Sequence, residues 1–354
     1  MSDVGTTVED LDRFLAEHHL IGKTATYKRP EARKGNTAAH WTWEGIYAGL
    51  MQSAELVSIG PDGDTGMRSV TGVEARAGGR PIWLNTQIVM PGERTKAHRT
   101  MRSETRLVLQ GTPGAVFVCE FEAYPMERGD VVISPPYTYH DHWNQGTEPA
   151  IFVDGYDDGW NPSSKNIGGG QLPNDAPFQE ITRPEGYTYN TLGHARRLLD
   201  ERPFPLPPMR YRWSQTQAAL DALRESEASQ DPYDGLYLMF ASPVDSGPTL
   251  PTMAWHVQLL EGRQKTLAHR HNSNSFYCVF EGEGATVIEG ERLKWQKGDL
   301  FAIPPWSWHH HENTSNGDTI LFSIDDWPAM KSLGFYRKEE AGPQQGPYGR
   351  TVHP

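Results

Sequence analysis

The stretch of sequence that decides the fold occurs twice. Residues 129–144 read GDVVISPPYTYHDHWN, and residues 298–313 read GDLFAIPPWSWHHHEN. The two copies align without a gap and lie about 170 residues apart, which is too far for a solenoid repeat and indicates a duplicated domain. The shared positions are Gly129/Gly298, Asp130/Asp299, Pro135/Pro304, His140/His309, His142/His311 and Asn144/Asn313.

Short apolar segments that end at Gly, Pro or charged residues surround both copies. Segments of this length and composition predict β-strands, so we expect a mostly β chain with few helices. In the first half they are IWLNTQIVM (82–90), TRLVLQG (105–111), AVFVCEFEAY (115–124), DVVISP (130–135) and AIFVDGY (150–156). The second half repeats the series as MAWHVQLLEG, SFYCVFEG, ATVIEGERLKW, DLFAIPP and TILFSID.

The duplication also predicts how the chain is divided. We expect an N-terminal arm and a first domain over residues 1–158, a linker over residues 159–235 and a second domain over residues 236–354. Two capping boxes predict helices, one from residue 6 to about residue 19 and one in the linker, SQTQAALDALRES, that starts at Ser214 with Gln217 as its box partner.

Bulk composition limits the function classes. The net charge of −12 argues against nucleic acid or an anionic membrane as the main partner. The sequence contains no signal-peptide pattern, and no apolar run approaches the length of about 20 residues that a membrane span needs. Cys119 and Cys278 each lie in an apolar run, so we expect core residues rather than a disulfide, which suits a reducing cytoplasm. These features predict a soluble cytoplasmic protein.

A second duplicated stretch carries candidate metal ligands. Residues 98–111 read HRTMRSETRLVLQG, and residues 269–282 read HRHNSNSFYCVFEG. In a strand, residues i and i+2 face the same side, so the spacing His-x-His aims two imidazoles together. A Glu several residues on and a His from a later strand complete one face of an octahedron, and the opposite face stays open for substrate and O2. The copies differ at two of these positions, Thr100/His271 and Glu104/Ser275.

The spacing of these motifs resembles that of the cupin superfamily, G-x5-HxH-x3–4-E-x6-G followed by G-x5-P-x-G-x2-H-x3-N. The resemblance covers both halves and implies an all-β bicupin, with two double-stranded β-helix (jelly-roll) barrels and a few flanking helices. In each copy an aromatic residue, Tyr137 or Trp306, replaces the internal Gly of the second motif. More closely, AHRTMRSETRLVLQG with YHDHWN, and AHRH with WHHHEN, resemble the gentisate and salicylate 1,2-dioxygenases. These are Fe(II) enzymes that open the rings of 2-hydroxybenzoates.

That resemblance implies a substrate pocket in the first barrel, where the catalytic iron of the family generally lies. Arg106 would pair with the substrate carboxylate, because its planar fork suits that group. His142 would hydrogen-bond the bound oxygens or act as acid or base, and Asp154 would hold its tautomer. Trp83 and Gln87 would set the plane and position of the ring. The resemblance further implies a homotetramer whose small-molecule partners are an aromatic acid and O2.

The first copy departs from the three-His ligand set of the family, and three explanations stay open. Glu104 replaces the imidazole that is missing at Thr100, which gives a His98/Glu104/His140 site of the 2-His-1-carboxylate kind. Alternatively, Thr100 leaves a two-His site that water completes. In the third explanation the first site is inactive and the chemistry has moved to the second. Iron in both barrels is a further expectation. The ligands of the second site would be His269, His271 and His309.

Two other functions fit part of the pattern. One is a bicupin oxalate decarboxylase, which uses manganese with three His and one Glu in each copy, and the other is a non-enzymatic storage or sugar-binding bicupin. The chain never assembles all four ligands in one copy, and a storage protein has no need for complete metal motifs. We therefore expect ring fission of a salicylate-like acid between its carboxyl-bearing and hydroxyl-bearing carbons. The altered ligand set at Glu104 favours a substituted salicylate over gentisate.

Overall fold

The computed structural model describes the strands of both halves and part of the segment between them. The described residues are 38–56, 59, 69–70, 81–112, 114–157, 159–160, 169–187, 209–226, 230–243 and 245–342. The helix expected over residues 6–19 lies outside these ranges and stays a prediction. Within them, none of the helices is long and apolar enough to cross a membrane. The α-helices of the described residues are α1 (Trp43–Leu56), α2 (Trp213–Glu225) and α3 (Trp327–Ser332).

The first barrel consists of two antiparallel sheets. Its core lies between them and includes Val108, Phe117 and Phe152, all fully buried. One sheet contains, in spatial order, β12 (Met209–Tyr211), β8 (Val131–Ser134), β5 (Glu104–Gln110), β10 (Ala150–Tyr156), β3 (Trp83–Val89) and β2 (Ser69–Val70). The other contains β11 (Gly170–Gln171), β4 (His98–Arg99), β9 (His140–Asn144), β6 (Ala115–Cys119) and β7 (Glu122–Pro125).

The second barrel repeats this arrangement, which confirms the expected all-β bicupin fold. Val279, Ile288 and Phe301 belong to its core. One sheet contains β1 (Ala39–Trp41), β19 (Leu300–Ile303), β16 (Ser275–Glu281), β21 (Thr319–Asp325), β14 (Ala254–Leu260) and β13 (Leu236–Met239). The other contains β18 (Glu291–Gln296), β17 (Glu283–Ile288), β20 (His309–Asn313), β15 (His269–His271) and β22 (Lys338–Glu340).

Each half of the chain contributes a strand to the barrel of the other half, whereas the helix that follows each strand packs on its own half, α1 on β3 and α2 on β13. Strand β1 pairs with β19 of the second barrel, and β12 pairs with β8 of the first. The helix that follows each strand is capped by the Asp of a Gly-Asp motif. The Trp43 N–H donates to Asp299 Oδ1 and the Trp213 N–H donates to Asp130 Oδ1, both at 2.8 Å. The two halves are therefore interlocked rather than joined only by a linker.

The linker helix is present, but its predicted capping box is wrong. Helix α2 begins at Trp213, its N-cap residue is Arg212, and no side chain of that residue caps it. Ser214 thus lies inside the first turn. The cap comes from Asp130, which is 83 residues earlier in the chain, so a local sequence pattern could not reveal it.

The two cysteines and the strand expected over residues 115–124 can be compared with the structure. Cys119 and Cys278 are buried and free, as expected. The strand expected over residues 115–124 is divided into β6 and β7, because Glu120 and Phe121 adopt positive φ angles of 50° and 67° and form a tight turn.

The aromatic residues at the internal Gly position of the motif keep the backbone conformation that Gly favours. Tyr137 and Trp306 both have a φ of 65°, a strained value for a residue with a side chain. The guanidinium of Arg99 lies 3.9 Å from the Tyr137 ring centroid, and that of Arg270 lies 4.5 Å from a Trp306 ring centroid. Cation–π contacts of this kind offset part of the strain.

Candidate functional site

The candidate site of the first barrel is built around two histidines on neighbouring strands. His98 on β4 pairs in register with His140 on β9, and their ring centroids are 4.6 Å apart. Each Nδ1 lies beside the backbone carbonyl two residues earlier, 3.0 Å from Lys96 O and 3.1 Å from Thr138 O. Since a carbonyl can only accept, each Nδ1 carries a proton, and each Nε2 is the nitrogen that remains available to a ligand. A hydrogen bond from the ring nitrogen that does not bind the metal orients many histidine ligands in this way.

Glu104, the first residue of β5, has one lone pair to spare. A carboxylate offers about four lone-pair positions. Oε1 accepts hydrogen bonds from Thr100 Oγ1 at 3.1 Å and from Arg102 Nε at 3.0 Å, and Oε2 accepts one from Arg106 Nη2 at 2.6 Å. Oε2 also lies 3.1 Å from His140 Nε2. Either a proton shared with the imidazole or a metal ion between the two atoms satisfies this contact.

Electrostatics keep Glu104 ionised and His98 neutral. Burial alone would raise the pKa of Glu104, but His140 and the two arginines hold it well below its usual range. Burial, together with the neighbouring His140, lowers the pKa of His98 to about 4. An anionic carboxylate beside the neutral imidazole of His98 belongs to the kind of donor set that divalent iron accepts.

Arg106 connects Glu104 to the rest of the predicted pocket. Arg106 on β5 pairs in register with Asp154 on β10, and Arg106 Nε lies 3.0 Å from Asp154 Oδ1. Gln87 on β3 donates to the other oxygen of Asp154, and also to Tyr156 Oη at 3.1 Å. The guanidinium rests over the Phe117 ring at 4.8 Å, while its Nη1 has no hydrogen-bond partner. Burial raises the pKa of Asp154 to about 7.

The expected contact between Asp154 and His142 is not present. Asp154 binds Arg106 and Gln87 instead, because the cation lies directly opposite on the adjacent strand. Neither ring nitrogen of His142 has a hydrogen-bond partner, and burial holds the pKa of His142 well below its usual range. The His142 ring stacks on Phe152 at 4.6 Å.

Trp83 lies at the edge of this network rather than in contact with its charged atoms. Its ring packs against Tyr156 at 4.5 Å, and the guanidinium of Arg102 lies 5.8 Å from the Trp83 ring centroid. The structure thus brings together all five pocket residues of the first barrel, and their roles stay predictions.

The second barrel contains a more closely grouped set. His269 on β15 pairs in register with His309 on β20, and His271 lies on the same strand as His269. One ligand atom from each lies within 4.8 Å of the others. Within the described ranges no other three His, Cys, Asp or Glu residues meet this limit, so His98, Glu104 and His140 are more widely spaced. Since Glu104 Oε2 lies only 3.1 Å from His140 Nε2, the wider spacing involves His98.

Comparison with known proteins agrees with the fold and the ligand pattern. The cupin domain model matches the chain twice, over residues 85–156 and 255–325. The 5-aminosalicylate 1,2-dioxygenase of Comamonas sp is 33% identical over 353 residues, which cover 96% of this chain and 92% of that protein. The gentisate 1,2-dioxygenase of Haloferax sp is 32% identical and covers 94% of this chain and 96% of its own length. The chain belongs to the bicupin family of ring-cleaving 1,2-dioxygenases.

A solved structure of this dioxygenase family extends the likeness to the fold. The salicylate 1,2-dioxygenase of Pseudoaminobacter salicylatoxidans, crystallised with gentisate, superposes with a TM-score of 0.81 at 25% identity, and 96% of this chain and 95% of that chain are covered.

Two cationic side chains near the histidines were not among the residues predicted from the sequence. Arg102 binds Glu104, and the alternation Arg102-x-Glu104-x-Arg106 was a usable signal, since residues two apart in a strand share a face. Lys338 lies opposite His271 on β22. It follows the last motif, and nothing in the motif spacing pointed to it.

Proposed function

We propose that this protein is an Fe(II)-dependent dioxygenase that opens the ring of a 2-hydroxybenzoate between its carboxyl-bearing and hydroxyl-bearing carbons. The reaction would take place in the first barrel, with iron held by His98, Glu104 and His140. A bound Fe(II) supplies Lewis acidity to the substrate oxygens and electron transfer to dioxygen.

The observation that carries this proposal is the contact between Glu104 and His140. Glu104 Oε2 and His140 Nε2 lie 3.1 Å apart, close enough to be ligands of one metal ion, and the Nδ1–carbonyl contacts leave the Nε2 atoms of both imidazoles for the metal. Thr100 supports the same assignment, because it donates a hydrogen bond to Glu104 Oε1 at 3.1 Å. Relative to the second barrel, Thr100 removes a histidine ligand and Glu104 supplies a carboxylate. The two differences would act together, because the Thr100 hydroxyl orients that carboxylate.

The remaining pocket residues would bind and orient the acid. Arg106 has a free Nη1 that can donate to the substrate carboxylate while its other nitrogens stay on Glu104 and Asp154. Gln87 and Asp154 fix the guanidinium from the far side, so its direction does not depend on the substrate. His142, neutral and without a partner, can donate or accept a proton at the phenol oxygen. Phe117 and Phe152 exclude water from these groups.

The substrate class is supported by the relatives, which are named for 5-aminosalicylate, gentisate and 1-hydroxy-2-naphthoate. All three are aromatic acids with a hydroxyl next to the carboxyl group. A carboxylate ligand adds negative charge at the metal, and we therefore favour a substituted salicylate over gentisate. The named relatives do not favour the alternatives of an oxalate decarboxylase or a storage bicupin.

We also propose a cytoplasmic location, a homotetramer, and a division at residues 158 and 235. The exchanged strands β1 and β12 cross that division, so the functional unit would be the whole chain rather than one barrel.

Oxygen consumption by the anaerobically reconstituted full chain tests the proposal. After loading with Fe(II), salicylate, 5-aminosalicylate, gentisate and oxalate are each added with O2, and the product is followed by mass. The proposal predicts uptake of one O2 per ring-opened acid with the hydroxybenzoates. O2 uptake with none of them, or carbon dioxide release from oxalate, would contradict it.

A further inference from the structure

A cavity of about 630 Å³ adjoins the histidine triad of the second barrel. This volume lies in the range of small-molecule sites, which are mostly apolar with a few placed polar groups. The walls of this cavity are more polar than that, because four charged side chains and two histidines of the triad lie among five aromatic rings. The rings belong to Tyr237, His256, Tyr277, Trp327 and Tyr336.

Several buried polar atoms in the interior of the second barrel have no hydrogen-bond partner among the described residues. Both amide atoms of Gln258 and the Nε2 atoms of His309 and His311 make no hydrogen bond, although each side chain is at most 1% exposed. Leaving such a group unpaired costs about 1–3 kcal/mol. His309 donates from Nδ1 to Ser307 O at 2.9 Å, so its Nε2 carries a lone pair. The interior is therefore built for a polar occupant, and for a cation at the triad.

A cationic side chain that could bind an acidic ligand lines this cavity, and it comes from a strand that follows the histidine motifs. Tyr277 stands where the first barrel has Arg106, so the second barrel lacks that arginine. Lys338 supplies a positive charge from a different strand: it pairs in register with His271 and lines the cavity. An ammonium group has three donors. One of them binds Glu340 Oε1 at 3.0 Å, and Asp234 is a second acidic neighbour of the ammonium, so a bound carboxylate would share Lys338 with these two groups.

The two carboxyl groups that line the same cavity do not oppose an anionic ligand at full strength. Burial raises the pKa of Asp234 to about 7 and holds the pKa of Asp325 well above its usual range. Protonated carboxyls donate hydrogen bonds. They can therefore meet a hydroxyl or amino substituent of a ring instead of repelling its carboxylate.

We propose that the second barrel is a ligand site in its own right, in which His269, His271 and His309 hold a divalent transition-metal ion and the adjoining cavity binds an aromatic monocarboxylate through Lys338. The site is separate from the one in the first barrel and does not rest on the reaction proposed there. Each chain would accordingly bind two metal ions and two aromatic acids.

Metal content and ligand stoichiometry test this inference without any turnover. The full chain is loaded with Fe(II) under anaerobic conditions and desalted, its iron is measured, and salicylate is titrated by calorimetry in the absence of O2. We expect two irons and two salicylates per chain. His271→Ala should lose one iron, whereas Lys338→Gln should keep both irons and bind one of the two salicylates at least about tenfold more weakly.

Two further variants separate a lost contact from a damaged fold. Lys338→Arg keeps the cation and should bind both salicylates. Lys265→Gln removes an exposed lysine that pairs with Glu312 at 2.9 Å and should behave as the unaltered chain. One salicylate per chain before any substitution, equal binding by Lys338→Gln and Lys265→Gln, or unchanged iron in His271→Ala would overturn the inference. Loss of ring opening with both salicylates still bound would instead count against the function of the first barrel.

Discussion

Single residues decide what the first barrel can bind. A threonine stands at position 100 where the second barrel has a histidine, and a glutamate stands at 104 where it has a serine. The hydrogen bond between Thr100 and Glu104 makes these two differences one exchange. The sequence singled out both residues, but it left three ligand sets open because the distance between the two side chains is set by a turn between β4 and β5.

Removal of the Thr100 hydroxyl should weaken metal binding in the first barrel. Thr100→Val keeps the shape of the side chain and removes the donor to Glu104, and changes of this kind next to a metal ligand typically lower affinity about 10–100-fold. The affinity can be measured by chelator competition in a His271→Ala background, so that only the first barrel is counted. Thr100→Ser is the matched control and should retain the affinity. Equal affinities of the Val and Ser variants would show that the hydroxyl does not orient Glu104.

The geometry of Arg106 should matter as well as its charge. Complete removal would leave Glu104 and Asp154 buried without their cation, at a cost of several kcal/mol in stability. Arg106→Lys keeps the charge but loses the planar fork, so we expect a folded enzyme whose KM for the aromatic acid rises about tenfold or more. Arg292→Lys, on the exposed surface, is the control. A KM unchanged by Arg106→Lys would remove Arg106 from substrate binding.

At the scale of elements, the apolar segments predicted the longer strands of both barrels, because such segments between turn residues have few other uses, but they did not predict the short strands β1, β2, β11, β12, β13 and β22. The exchange of β1 and β12 between the barrels was not predictable. These strands have three residues each, and their partners lie far away in sequence. The caps of α1 and α2 come from Asp299 and Asp130 for the same reason, which is why a local capping box failed.

The Asp130 cap should be a major contributor to stability. Its carboxylate accepts from the Trp213 N–H and also pairs with Arg210 Nε at 2.6 Å, with both side chains of that pair buried. Asp130→Ala removes both contacts, and we expect the free energy of unfolding to fall by about 2–4 kcal/mol. Asp221→Ala, an exposed position on α2, should change it by less than about 0.5 kcal/mol. Chemical denaturation of both variants measures the difference, and similar losses would contradict the role of the cap.

At the scale of the whole molecule, one duplicated fold carries two differently equipped interiors. The net charge is −12, yet each interior places a cation beside its histidines, Arg106 in the first barrel and Lys338 in the second. A negative net charge of the whole chain is therefore compatible with an acidic ligand, because the cation nearest to each group of histidines determines the local potential. The first interior combines a carboxylate and two imidazoles, and the second combines three imidazoles.

Anomalous X-ray diffraction at the iron absorption edge, from crystals grown with Fe(II) under anaerobic conditions, tests the central claim most directly. The account predicts an iron peak in the first barrel within bonding distance of His98 Nε2, His140 Nε2 and a Glu104 carboxylate oxygen. An empty first barrel, with Glu104 bound only to Thr100 and its two arginines, would contradict it.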